Sequence, residues 1–164
     1  MSDSLSDFAL AVYAADGVSA ACLTLQDRLD VDVNVVLFAA YVGAARAESL
    51  TDAGLVAALA RVGDWHRDVV VPLRSVRRRL KVETSPAAVQ LRANLQRLEI
   101  DAEVVELAEL GALAAEEARP SASGTSTERA AAAIGTVVGD ELDDELRAAV
   151  GAIASAAAWS ARSD

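Results

Sequence analysis

A chain of 164 residues has the size of a single domain and can bury a core without disulfide or metal staples. Apolar residues make up 53% of it but aromatics only 4%, a composition that disfavours a β-sandwich and suits close-packed helices. The formal charge of −10 argues against attraction of the whole molecule to nucleic acid or anionic lipid, and the single cysteine, Cys22, excludes an internal disulfide and a cysteine-rich zinc site.

The acidic start, residues 1–7, lacks the basic flank of a signal peptide, so a cytoplasmic location is expected. The longest uncharged runs, 33–45 and 148–161, fall short of the roughly 20 residues that span a bilayer. Residues 5–15 read as a first helix, capped by Ser6 or Asp7 and stopped at Asp16-Gly17. Val18, Cys22, Leu25 and Leu29 recur at helical spacing and mark a second. The third begins at Asp32 as its cap and is apolar nearly all round through residue 45, as a central buried helix would be. Ser49 or Thr51 caps a fourth through Leu55, Val56, Leu59 and Val62, and Gly63-Asp64 opens a new element.

Residues 64–82 give a strongly two-faced pattern. Placed at 100° per residue, Trp65, Val69, Pro72, Leu73, Val76 and Leu80 share one arc, and Arg67, Arg74, Arg77, Arg78 and Lys81 fall opposite. Pro72 removes a ladder hydrogen bond and collides with the carbonyl of Asp68, which predicts a kink or a fresh helix start near residues 68–71. Ser85-Pro86 then supplies a cap and first-turn proline for a long helix through Leu91, Leu95, Leu98, Val105 and Ala112. Residues 120–127 have linker composition. Beyond them an alanine-rich stretch predicts a helical hairpin with Leu142, Leu146, Val150 and Ile153 on its second arm, marginal alone because alanine buries little area.

The expected fold is therefore all-α: a compact antiparallel bundle of five or six helices over residues 1–119, a Ser/Thr/Gly linker at 120–127, and a helical tail at 128–164. The runs Phe8 to Tyr13, Gly17 to Asp27 and Asp32 to Phe38, with Trp65 and Val71 to Lys81, resemble a proteobacterial family of short proteins known only as a domain of unknown function. The resemblance covers about the first half of the chain. It implies a bacterial, cytoplasmic protein and carries over no reaction, ligand or catalytic residue.

No complete catalytic set accompanies the one imidazole, His66: there is no serine elbow, and Cys22 lies on an apolar stripe with nothing nearby to lower its pKa. Asp27, Asp30 and Asp32, like the acids at 140–145, sit where helix caps and first-turn acids belong and lack the spacing of a calcium loop. Phosphate-binding glycine loops are missing. Neither metal nor cofactor is expected, and no residue is assigned a catalytic role. Between Arg61 and Lys81 seven cations meet two aspartates, a local +5. The expectation is a non-enzymatic interaction module that docks an acidic protein through Arg67, Arg74, Arg77, Arg78 and Lys81, with self-association through the tail as a second contact. The alternative is a solvated face, or one paired with the acids of residues 99–117. The rival function is a small-molecule binder or enzyme with a pocket between helices, lined by Tyr13, Asn34, Tyr41, Trp65 and His66.

Overall fold

The computed structural model describes residues 4–162, so the expectations drawn on residues 1–3 and the last two residues of the tail lie outside the described residues. Helices follow one another along the chain: α1 (Leu5–Tyr13), α2 (Val18–Leu29), α3 (Val33–Ala44), α4 (Asp52–Trp65), a π-helical turn (His66–Val70), α5 (Val71–Arg79), a 3-10 turn (Leu80–Val82), α6 (Pro86–Glu116), α7 (Ser126–Val138) and α8 (Asp144–Arg162). Among the described residues there is no strand, only an isolated bridge between Glu48 and Ser121. The all-α bundle expected from composition is the fold observed. No single helix among the described residues is long and apolar enough to cross a membrane.

The caps explain the starts. Ser4, not Ser6 or Asp7, opens α1, its side chain accepting from the Asp7 N–H. Asp32, Thr51 and Ser85 cap α3, α4 and α6 in the same way, and Thr125 with Glu128 closes a capping box on α7. Between α2 and α3 the chain turns through Asp30 in a left-handed conformation (φ 53°), which aspartate tolerates better than most side chains. That tight turn sets Asp32 beside the end of α2.

Helix α3 is the centre. Every residue from Asn34 to Ala44 is buried, because α1, α6, α7 and α8 surround it. Residues 120–127 connect α6 to α7, and both helices beyond them enter the same core: Ala130, Ala133, Ile134, Leu146, Val150 and Ile153 are buried in one cluster with Phe8, Leu25, Phe38 and Leu110.

Two expectations are corrected in the fourth and fifth helices. Gly63-Asp64 opens no new element; α4 runs through it to Trp65. The interruption expected from Pro72 takes the form of a π turn, in which the Val71 N–H reaches back to the His66 carbonyl. This turn accommodates one residue more than an α turn, a change of about 100° in where later side chains point. Ala58, Val62, His66, Val70 and Arg74 recur four apart, a row that drifts by about 40° per step in a regular α-helix. The π turn offsets most of the accumulated drift, so the row stays on the inward side: Ala58, Val62 and Val70 are fully buried, and Arg74 is 14% exposed. Trp65 and Val76, expected on the buried arc, are 39% and 49% exposed instead.

Candidate functional site

Three side chains from three separate elements meet where the π turn faces α3 and α6. Asp32 comes from the cap of α3, His66 from the first residue of the π turn, and Glu106 from the middle of α6. His66 Nδ1 lies 2.9 Å from Glu106 Oε1 and 3.1 Å from Asp32 Oδ2. Glu106 is fully buried, and the Asp32 side chain is 10% exposed. Each carboxylate has its second oxygen secured by Asn34, whose backbone N–H donates to Asp32 Oδ1 at 2.8 Å and whose side-chain amide donates to Glu106 Oε2.

One imidazole N–H cannot fully serve two acceptors. Glu106 receives it, and Asp32 Oδ2 is left buried without a hydrogen bond. Burial first, and then the charge of Glu106, push the Asp32 carboxyl up to about 6 against the pull of His66. The hydrogen bond to Glu106, helped by the charge of Asp32, raises the His66 pKa against its own burial. Both shifts are upward, and perturbed groups brought together in this way are common at proton-transfer and ligand sites.

The cluster forms one end of a cavity of about 290 Å³. Asp32 and His66 line it directly, and Val31, Val35, Leu55, Leu59, Val62 and Val137 supply apolar wall. Trp65, next to His66, donates its indole N–H to the Ala102 carbonyl at 2.9 Å and so ties the end of α4 to α6. Beside the cluster, Arg74 bridges Glu99 and Glu103, both at 2.8 Å, and Arg77 also pairs with Glu99. Within this network Glu99 is held below the usual carboxylate range, burial being outweighed by Arg77 and Arg74, whereas burial pushes Glu103 up.

Of the five residues expected to form a pocket, the structure brings Asn34 and His66 together and puts Trp65 next to them. Tyr41 lies about 10 Å further along α3, stacked edge-on against Phe8 with ring centres 5.2 Å apart. Tyr13 is half exposed near the Arg74 network, and burial, then the neighbouring Cys22, raise its pKa. The Cys22 thiol is itself pushed up to about 12 by burial, which makes it unreactive.

The five cations expected on one docking face divide between two environments. Arg74 and Arg77 turn inward to Glu99 and Glu103, the pairing with the acidic helix that was the alternative reading of this segment. Arg67 bonds Asp64 and Asp68 on its own helix, Arg78 makes a long 3.4 Å pair with Asp27, and Lys81 is exposed. Glu106 and the second role of Asp32 escaped the sequence reading. A signal for Glu106 existed: Glu99, Ala102, Glu106, Leu110 and Leu113 form one stripe at helical spacing, and its two carboxylates, set among apolar residues, are buried charges that require partners.

The family model described as "Protein of unknown function (DUF2390)" matches residues 4–110, further than the first-half resemblance reached and far enough to include Asp32, His66 and Glu106 together. No curated protein and no solved structure matches the chain.

Proposed function

The chain belongs to the DUF2390 family of proteins of unknown function, and from the site enclosed by the matched segment we propose that it binds a small molecule in the cavity between the α2–α3 turn and α4. The single observation behind this reading is the meeting of apolar walls with Asp32 and His66 at one end of the cavity. Clefts of about 300 Å³ or more with a few convergent polar groups are the usual form of a small-ligand site. With Asp30 and Asp32 beside one imidazole in its lining, the cavity favours a cationic or hydrogen-bond-donating head group over an anion. The ligand on this reading has a short apolar body and an amine-like head.

Gly63 provides the test. It lines the cavity, and a Cβ built there meets nothing within 4 Å. Gly63→Leu therefore carries a side chain into the cavity from a Cβ position that is open, and it removes a helix-interior glycine that costs about 1 kcal/mol. The expected result is binding of hexylamine but not hexanoate by the parent, followed by calorimetry, and loss of that binding in Gly63→Leu with an unchanged or higher melting temperature. Equal binding of amine and acid, or retention of amine binding by Gly63→Leu, rejects the reading. Docking of an acidic partner through the basic helix is the weaker alternative, because Arg74 and Arg77 are already engaged by Glu99 and Glu103.

A further inference from the structure

We propose that Asp32, His66 and Glu106 form a binding site for one divalent transition-metal ion of the Zn2+, Mn2+ or Fe2+ class, open on one side to the cavity. One ligand atom from each residue lies within 4.8 Å of the others. The separations from His66 Nδ1 to the two carboxylate oxygens, 2.9 and 3.1 Å, match the edge of about 3.0 Å that two cis ligands span in an octahedral site with bonds of about 2.1 Å, and a tetrahedral ion needs them to part by a few tenths of an ångström. The ion replaces the Nδ1 proton, bonds the imidazole nitrogen, and draws on both oxygens at once. This resolves the one-proton, two-acceptor conflict.

A second, independent observation points the same way. Asp32 Oδ2 is a buried carboxylate oxygen with no hydrogen bond, on a side chain nine-tenths buried, and it faces His66 Nδ1. Such an orphan costs free energy unless something binds it. Asn34 supports both acid ligands: its N–H and its amide occupy Asp32 Oδ1 and Glu106 Oε2, so that Asp32 Oδ2 and Glu106 Oε1 are the oxygens that face His66 Nδ1. Ligands held in this way by hydrogen bonds are usual around bound metals.

The donor set selects the ion. One imidazole and two carboxylates suit borderline and hard transition metals, exclude copper(I), and supply too few oxygens for calcium. Two carboxylates with a neutral imidazole carry −2, which a divalent ion neutralises. Three protein ligands leave coordination positions free, and since Asp32 and His66 line the cavity, those positions face the space where a small molecule would lie. Open sites of this kind accept water or substrate.

The proposal rests on the cluster and not on the identity of the cavity ligand. Metal-free full-length protein is titrated with Co2+, followed by its visible absorption, and with Zn2+ and Mn2+, followed by calorimetry. One ion per chain is expected, with Zn2+ displacing Co2+. Asp32→Asn and Glu106→Gln each weaken binding by about 100-fold or more, while Gly63→Leu, which blocks the cavity reading, leaves metal affinity unchanged. Absence of saturable binding of all three ions up to millimolar concentration, or binding that Asp32→Asn leaves intact, overturns the site. Should a variant fail to fold, paramagnetic broadening by Mn2+ in the unsubstituted protein decides. Broadening centred on residues 31–35, 63–66 and 103–106 supports the site, and broadening centred on the acids at 140–145 overturns it.

Discussion

Asp32 serves two purposes through its two oxygens: Oδ1 caps α3, and Oδ2 sits in the cluster without a hydrogen bond. Asparagine keeps the cap and removes the charge. The folded pKa of about 6 stands above the ordinary 3.8, so the group favours folding when protonated, and that contribution, full below about pH 4, is lost as pH rises through 6. Metal-free Asp32→Asn is therefore expected to be more stable than the parent at pH 7.5, by up to about 3 kcal/mol, and to lose that advantage as pH falls toward 4. Denaturant titrations across this range check it, and a less stable variant at pH 7.5 would contradict the assignment. Gained stability with lost metal affinity would mark Asp32 as a residue kept for binding. Arg74 is the opposite case. Its guanidinium bridges buried Glu99 and part-exposed Glu103, so Arg74→Gln leaves Glu103 unpaired and Glu99 with Arg77 alone and should cost about 2 kcal/mol. Arg78→Gln, at a half-exposed 3.4 Å pair, should cost less than about 1 kcal/mol. Thermal melts of the two variants side by side test the contrast.

At the level of elements, α3 and α7 approach closely at Gly43. A Cβ on Gly43 would overlap the Arg129 carbonyl and lie 2.7 Å from the Ala130 nitrogen, and Arg129 Nε donates to the Gly43 carbonyl at 3.0 Å. Backbone cannot move aside as a flexible side chain can. Gly43→Ala should thus destabilise by about 3 kcal/mol despite the better helix propensity of alanine, and a variant as stable as the parent in urea would show that α7 is not seated there. Much of this architecture was legible in the residues. The caps at Asp32, Thr51 and Ser85, the all-apolar α3 and the long α6 follow from local chemistry and period. What stayed hidden depends on the π turn. A projection at 100° per residue sends Arg74 to the solvent side, and the extra residue at 66–70 turns it inward to Glu99 and Glu103. His66 was visible as a lone imidazole, but its partners come from positions 34 residues before and 40 after it, a separation that no local pattern encodes.

Across the whole molecule, the alanine-rich helices at the end of the chain share one core with the helices before them. Helix α3 has no outward face, and α7 covers the side that carries Gly43. Arg28 of α2 also pairs with Asp143 at 2.7 Å and Glu145 at 2.9 Å, next to α8; such exposed pairs hold register more than they add stability. The larger contribution is apolar. Ile134, Leu146, Val150 and Ile153 are buried in the shared core, and at about 1.5–3 kcal/mol each they contribute roughly 6–12 kcal/mol, comparable with the entire stability of about 5–15 kcal/mol typical of a domain. Val137 of α7 also lines the cavity, so removing α7 opens the proposed site. A chain ending at Arg119 is accordingly expected to keep part of its helical circular dichroism but to melt without a cooperative transition and to bind a hydrophobic dye, the behaviour of a collapsed state lacking fixed packing. Full-length protein should melt in a single step. A fragment that ends at Arg119 and still unfolds cooperatively, with a midpoint near that of the full chain, would show that α1 to α6 form a self-sufficient core and that α7 and α8 merely lean against it.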